Sequence, residues 1–305
     1  MDNLTAKVSC FARAYHYKNN QVHIFADDVA EKFLEDDYDL VAQSMSQGIS
    51  FFLPGFQGTQ KEGLRLIVEK HLSPSVLGRS AFCESMLGNE KRLGCSQYVI
   101  FASGYDTFAI RNKDTSLSVF ELDLPEMLSD KQHRIEKAEL SSNATYVPCD
   151  LSDPTWKDKL IEAGFRPDRK SFASLLGISY YLAKEDFKSL LQALGSILRE
   201  GSAICFDYPT IEDSKESQTN QTLAAGAGEQ MKARYSPDEM TKLLEDSGFL
   251  IYEHLDYEEI TAQYFTQYNN AIPIHPTHAP KGVRYVLGVR KRMMCLYPTM
   301  KSIDK

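Results

Sequence analysis

The chain has 305 residues, of which 43% are hydrophobic and 25% charged, and its formal net charge is −8. Such a length can bury a full core, as one enlarged α/β domain or as two small domains. An acidic chain without basic runs is not typical of proteins that bind nucleic acid or membrane surfaces. The six cysteines are scattered, and no apolar run reaches membrane length. We therefore expect a soluble cytoplasmic protein with reduced thiols.

The first 95 residues carry helical periodicity and no strand pattern. Apolar side chains recur at helical spacing within residues 24–34 and again within residues 64–72. Between them lies the aromatic segment 51–56, whose rings either line a pocket or hold helices together. We predict that residues 1–95 form a helical cap, part of the same domain as an α/β core over residues 96–305.

The core begins with a strand, a glycine turn and a second strand. Residues 98–102 are a continuous apolar run, as in a parallel strand that is covered on both faces. Gly104 then allows a tight turn and a close approach to a ligand. Residues 119–123 form the next strand and end in Asp123, about twenty residues beyond the turn, where an acid can accept hydrogen bonds from ribose hydroxyls. The pattern predicts a nucleoside half-site.

The turn lacks the glycines of a dinucleotide fingerprint. Ala102 and Gly104 occupy the first two positions, and Asp106 is present in place of a further glycine. A pyrophosphate prefers a helix N-terminus with exposed N–H groups, so a carboxylate there disfavours it. S-adenosylmethionine suits the turn, since it has a ribose, an ammonium and a sulfonium but no phosphate. The alternative is an ordinary turn between a strand and a helix.

Further strands follow with helices between them. Ser236 and Pro237 mark a helix start, and the polar segment at about 210–235 is predicted to be a lid-like surface insertion after strand five. The count is seven strands, which favours a Rossmann-like class I methyltransferase sheet preceded by the helical cap. The strands predicted after the second cover residues 145–149, 172–178, 203–208, 249–255 and 283–289.

Several segments together resemble the leucine carboxyl methyltransferase family, including its bacterial members that act on polyketides, such as the tetracenomycin branch. The family pattern G-x-G-x-D-T corresponds to residues 102–107, E-V-D-x-P to 121–125, and the strand ending D-L to 150–151. Weaker matches are the segments 24–30, 78–82, 172–182 and 206–208. This resemblance implies an S-adenosylmethionine-dependent methyltransferase.

The resemblance also implies residue roles. Arg79 is expected to bind the methionine carboxylate, and Asp123 the ribose hydroxyls. Tyr181 is expected to face the region of methyl transfer, with Tyr180 as a second catalytic candidate. Leu176 replaces the glutamate that the family uses near the methionine ammonium or the substrate. This departure leaves three alternatives: Asp106 takes over the task, the affinity for the cofactor is lower, or the substrate is different. The remaining contacts implied for the cofactor are Ala102 and Gly104 along the methionine part, and Asp150 and Leu151 at the adenine.

We therefore predict an O-methyltransferase that acts on a small carboxylic or hydroxylated molecule and releases S-adenosylhomocysteine. The alternatives are a nicotinamide-dependent oxidoreductase and a protein that binds S-adenosylmethionine without turnover. Arg13, Tyr15 and His16 are additional candidates for contact with the acceptor. The segment 51–56 favours an apolar or planar acceptor. No metal is predicted, because the H-x-x-H at residues 275–278 has no carboxylate or thiol at ligand spacing.

Overall fold

A computed structural model describes residues 3–212 and 230–292 and contains a seven-stranded sheet in the order β3-β2-β1-β4-β5-β7-β6. The first five strands are parallel, and β7 pairs antiparallel with β5 and with β6. The predicted seven-stranded α/β fold is confirmed. The strands are β1 Gln97–Phe101, β2 Ser118–Asp123, β3 Ala144–Pro148, β4 Ser171–Leu175, β5 Ala203–Pro209, β6 Phe249–Leu255 and β7 Val283–Arg290.

The fourth strand is shorter than the sequence predicts. The apolar run continues to Ile178, but β4 ends at Leu175 and residues 176–181 form turns. Gly177 has a φ of 71°, a left-handed value that breaks the extended backbone. Apolar character alone did not reveal this end, because Ile178, Ser179 and Tyr180 in the turn are buried as well.

The N-terminal region is helical, and none of residues 3–95 lies in a strand. A π-helical segment, Val68–Leu72, joins the last two helices of this region, so that the chain continues there with a wider turn. The helices are α1 Leu4–Asn19, α2 Ala30–Leu34, α3 Asp36–Gln47, α4 Ile49–Phe52, α5 Gln60–Ile67 and α6 Ser73–Arg92.

The remaining helices alternate with the strands or follow β6. Ser236 caps a helix as predicted: its side chain accepts from the Glu239 N–H, and the Glu239 side chain returns to the Ser236 N–H. These helices are α7 Phe108–Arg111, α8 Pro125–Lys137, α9 Trp156–Glu162, α10 Lys184–Ile197, α11 Pro237–Asp246, α12 Tyr257–Ile260 and, after the π-helical segment Thr261–Phe265, α13 Thr266–Ala271.

The sheet is buried on both faces. Tyr98 and Ile100 of β1 belong to a core that includes Phe82 of α6, whereas Val99 and Phe101 belong to a second core on the opposite face. A third core joins α1, α2 and α3 to Tyr105 and Ile110, which lie beyond β1. The helical cap is thus packed directly on the turn that follows the first strand.

The predicted insertion at about 210–235 falls largely outside the described residues, which omit 213–229. Its two described ends lie together, since Ile211 N–H donates to the Tyr235 carbonyl at 3.2 Å and Tyr235 N–H to that of Pro209 at 3.0 Å. Its role as a lid stays a prediction. In the described part of the chain, no helix combines the length and the apolar character that crossing a membrane requires.

Candidate active site

A cavity of about 1020 Å³ opens at the carboxyl ends of β1, β2 and β4. Strands β2 and β4 lie on opposite sides of β1, so the strand order reverses there, which is where open α/β sheets bind ligands. One wall comes from the sheet and the other from α1, α3 and α6 of the cap. All nine residues predicted for the site line this cavity: Arg79, Ala102, Gly104, Asp106, Asp123, Asp150, Leu151, Tyr180 and Tyr181.

The turn after β1 has an unusual backbone. Ala102 has a φ of 46° and Gly104 a φ of 45°. A left-handed conformation costs an L-residue roughly 1–2 kcal/mol, whereas glycine adopts it freely. The turn is closed by the Asp106 N–H, which donates to the Ser103 carbonyl at 2.8 Å. The Asp106 carboxylate accepts from the Phe108 N–H at 2.7 Å, which uses one of its roughly four acceptor sites.

Asp123 is held firmly at the end of β2. Its two oxygens accept from the N–H groups of Gly104 at 2.7 Å and Leu124 at 2.8 Å. Burial raises the pKa of this carboxyl, although both N–H donors act in the opposite direction. A carboxylate has about four acceptor sites, so two stay available to a ligand.

Asp150 lies beyond the end of β3, on the same cavity. Its Oδ1 accepts from the Ser152 N–H at 2.8 Å and from the Ser152 hydroxyl at 2.7 Å. These bonds lower the pKa of Asp150. Leu151 lines the cavity beside it. Acids from the ends of two neighbouring strands therefore face one space, as the adenosine hypothesis requires.

Arg79 enters the cavity from α6 on the other side. Its Nη1 lies 3.5 Å from Oδ2 of the fully buried Asp207, and 18% of its side chain is exposed. Burial lowers the pKa of Arg79, but the Asp207 carboxylate and nearby tyrosines outweigh it, so the pKa is raised overall. Gly177 allows this approach, since a Cβ there would lie 2.8 Å from Nη1.

The two tyrosines differ in their surroundings. Tyr180 is 7% exposed, and its hydroxyl donates to Asp207 Oδ2 at 3.0 Å. Burial, followed by the Asp207 charge, raises the pKa of Tyr180 well above its ordinary value. Tyr181 is less buried and lines the same cavity, and its N–H donates to the Ile178 carbonyl at 3.0 Å.

Asp207 is the site residue missing from the sequence prediction. It lies near the end of β5 and binds three groups around the cavity: Arg79, Tyr180 and the Gly177 N–H, which donates to Oδ1 at 2.7 Å. The signal that selected Asp123 was present here too, namely an acid near the carboxyl end of a buried strand. The role of Asp207 depends on its contact with Arg79, and no local sequence pattern predicts that contact.

The three further residues that the sequence offers for contact with the acceptor do not all lie at the cavity. Tyr15 and His16 are buried in the cap, and neither is among the described residues that line the cavity. His16 Nε2 accepts from the Ile24 N–H at 2.9 Å. Arg13 does line the cavity, but it donates to Asp27 at 2.8 Å and to the Tyr105 carbonyl at 2.6 Å. Its main contacts therefore hold the cap on the turn.

The sequence is similar to known methyltransferases. A model of the family described as leucine carboxyl methyltransferase matches residues 6–195. YktD of Bacillus subtilis strain 168, which carries the provisional name of an S-adenosyl-L-methionine-dependent methyltransferase, is 36% identical over 298 residues, or 92% of this chain and 98% of YktD. The chain belongs to the leucine carboxyl methyltransferase family. It is an S-adenosylmethionine-dependent methyltransferase, as the motifs predict.

Solved structures agree on the fold. A crystal structure from Thermobifida fusca YX, also provisionally named a methyltransferase, covers 94% of both chains with a TM-score of 0.57 and 14% identity. A DUF574-family protein from Streptomyces avermitilis covers 93% of this chain and 97% of its own with a TM-score of 0.54 and 14% identity. At such identities the likeness concerns the fold alone. The family membership removes the nicotinamide-dependent alternative.

The cavity has the chemistry that S-adenosylmethionine requires. Asp123 retains acceptor sites for ribose hydroxyls, and Arg79 retains guanidinium donors beyond the one that faces Asp207. The mixture of an arginine with several acids suits a ligand that carries a carboxylate, an ammonium and a sulfonium. The volume is at the upper end of the roughly 300–1000 Å³ of small-molecule sites, so a second molecule fits as well.

Proposed function

We propose that this member of the leucine carboxyl methyltransferase family methylates an oxygen atom, of a hydroxyl or a carboxylate, on a small organic acceptor. The single observation that carries the proposal is the continuity of the cavity. Asp123, Asp150, Arg79 and the helices of the cap all line this one cavity, which supports a shared space for cofactor and acceptor.

The part of the cavity that the cap lines is here named the acceptor chamber, and the lining of the cavity as a whole is mainly apolar. Such a lining favours an aliphatic or aromatic body over a charged protein tail. Of the phenylalanines in segment 51–56, Phe51 alone is among the described lining residues, and it is 63% exposed. The apolar side chains that the cap contributes to the lining are Leu4, Ala6, Val8, Met45, Phe51, Leu72 and Val76.

Polar groups enter this chamber along one face of α6 and the π-helical segment before it. His71, Ser75 and Arg79 all line the cavity, and their spacing of four residues places them on one helical face. His71 is the one histidine among the described lining residues. We propose that His71 and Ser75 hydrogen-bond to the polar end of the acceptor.

The residues named above have simple tasks in such a reaction. When bound, S-adenosylmethionine supplies a methyl group on a good leaving group, so the protein mainly aligns an acceptor oxygen and excludes water. Arg79 would hold the amino-acid end, Asp123 the ribose, and Asp150 with Leu151 the adenine. Tyr181 is proposed to line the transfer region. The body of the acceptor would pack against the apolar cap.

A panel assay tests the acceptor class. The protein is incubated with methyl-labelled S-adenosylmethionine and a panel of fatty acids, aromatic acids, phenols and peptides that end in a free carboxylate. We expect label in organic-soluble products from apolar acids or phenols. Mild alkali then separates the two chemistries, because it hydrolyses methyl esters and leaves methyl ethers intact.

His71→Gln and Ser75→Ala provide a control on the acceptor site. They should raise KM for the acceptor and leave the affinity for S-adenosylhomocysteine unchanged, and Ser189→Ala on the exposed face of α10 should alter neither. Transfer confined to peptides or to nitrogen acceptors would overturn the proposal. Binding of the cofactor without transfer to any acceptor class would favour the non-catalytic alternative.

The location is also a proposal. The five described cysteines are free and buried, and no disulfide stabilises the described part of the chain. We propose action in a reducing cytoplasm, which fractionation of cells that express a tagged full-length chain would test.

A further inference from the structure

The cluster around Asp207 connects two walls of the cavity that are far apart in the sequence. Asp207 is fully buried at the end of β5, yet its carboxylate faces Arg79 of α6 at 3.5 Å. The same carboxylate accepts from the Gly177 N–H at 2.7 Å and from the Tyr180 hydroxyl at 3.0 Å. The neighbouring Ser179 hydroxyl donates to the Asp207 carbonyl at 2.7 Å.

These contacts leave Asp207 no freedom to turn toward a ligand. Oδ1 is directed at the turn after β4, and Oδ2 is directed at Tyr180 and Arg79. Asp207 itself is not among the described residues that line the cavity, whereas Arg79, Gly177 and Tyr180 are. The acid therefore lies behind the cavity wall and acts on the residues that form it.

Arg79 needs such a partner. A guanidinium in a largely buried wall is costly unless a charge compensates it, and a flexible arginine loses entropy when it binds a ligand. One Nη faces Asp207, which leaves the other N–H groups of the planar fork for a planar anion. Leu176 lies in the turn after β4 and carries no charge. Among the acids that the structure describes, Asp207 is the one that forms an ion pair with Arg79.

We infer that Asp207 is a positioning residue that holds Arg79 for the carboxylate of the cofactor's amino-acid end, with the Tyr180 hydroxyl as a second support. This inference rests on the proposed role of Arg79 in the cofactor site. It also predicts that Tyr180 contributes to the affinity for the ligand, because the Tyr180 hydroxyl donates to Asp207.

Two ligands separate positioning from general stability. S-adenosylhomocysteine carries the amino-acid end, and 5′-methylthioadenosine has the same adenosine and thioether without it. Calorimetry measures both affinities for the full chain. Asp207→Asn keeps the shape of the side chain and removes its charge. We expect it to weaken the binding of S-adenosylhomocysteine about tenfold, as for a lost charge-assisted contact. The affinity for 5′-methylthioadenosine should stay within about twofold.

A double-mutant cycle combines Asp207→Asn with Arg79→Ala, and Tyr180→Phe is measured as a further single variant. Arg79→Ala should show the same ligand selectivity with a larger loss, and Asp207→Asn should add little in that background, because it acts through Arg79. Tyr180→Phe should shift the affinity for S-adenosylhomocysteine in the same direction by a smaller factor. If Asp207→Asn fails to fold, the Tyr180→Phe result decides. Asp168→Asn, in an exposed pair with Arg166, is the control and should change neither affinity.

Different failures have different meanings. If the unmodified protein does not bind S-adenosylhomocysteine, the proposed cofactor site is wrong. If it binds and Arg79→Ala is selective, but Asp207→Asn and Tyr180→Phe match the unmodified protein, the inference alone is overturned. Equal losses for both ligands in a folded Asp207→Asn variant would also overturn it, since they would indicate a structural role.

Discussion

Arg13 in α1 donates from Nε to the Asp27 carboxylate at 2.8 Å, and both residues are buried, although Arg13 also lines the cavity. The same carboxylate accepts from the Thr107 hydroxyl at 2.7 Å, and a second guanidinium nitrogen of Arg13 donates to the Tyr105 carbonyl at 2.6 Å. The cap is therefore tied to the turn after β1 by charged hydrogen bonds. The shape of the turn and the attachment of the cap therefore depend on each other.

Asp27→Ala should destabilise the whole protein in one transition. It leaves Arg13 buried without its carboxylate, a change that typically costs about 3–5 kcal/mol. Urea unfolding followed by far-UV circular dichroism and by tryptophan fluorescence should give coincident curves, displaced to lower urea. The neighbouring Asp28 is exposed, so Asp28→Ala should differ little from the unmodified protein. A separate early transition of the helical signal would show that the cap folds as an independent unit.

Ala102→Gly should stabilise the protein by about 1 kcal/mol, because it relieves a left-handed φ of 46°. The measurement is the free energy of unfolding without ligand. Ala193→Gly provides the opposite control, since it places glycine inside α10 and should destabilise by about 1 kcal/mol. A loss of stability in both variants would mean that the turn adopts another backbone in solution.

Stability should fall as the pH decreases from 6.5. Burial, then the nearby His23, lowers the pKa of His16 from 6.5 to about 3, so the folded state binds no proton there while the unfolded state does. Between these values the unfolded state carries the extra proton, and one such group lowers the free energy of unfolding by up to about 1.4 kcal/mol per pH unit. Above pH 6.5 both states are neutral at this residue and its contribution is constant.

Urea titrations at several pH values between 7.5 and 4.5 measure this dependence. His16→Gln keeps an acceptor for the Ile24 N–H and cannot be protonated, so it should flatten the slope. His133→Gln, at an exposed position of α8, should leave the slope unchanged. A slope that persists in full without His16 would assign the effect to other groups.

Asp123→Asn should weaken the binding of S-adenosylhomocysteine and of 5′-methylthioadenosine to the same extent, by roughly tenfold, because both ligands contain the ribose. This pattern is the reverse of the selectivity expected for Arg79. Calorimetry on the same samples measures it, with Asp153→Asn at an exposed turn as the control. An Asp123→Asn variant that is folded and binds both ligands normally would remove the ribose assignment.

Local sequence patterns were enough to predict the seven strands and the side of the cavity that the sheet forms. A buried parallel strand needs only a short apolar run, and an acid just past its end must lie at the carboxyl edge. Asp123 and Asp150 therefore came to one cavity as predicted, and so did the turn from Ala102 to Asp106. Family motifs added Arg79, which no strand pattern could place.

Contacts between distant elements were decided only by the packed fold. Apolar composition does not record a change of backbone direction, so the end of β4 at Leu175 was not predictable from residues that are apolar on both sides of it. The meeting of Arg79 with Asp207, and the orientation of the Tyr180 hydroxyl toward that acid, require α6 to cross the ends of β4 and β5. Side-chain chemistry names the possible partners, but the distances between them exist only after the helices have packed on the sheet.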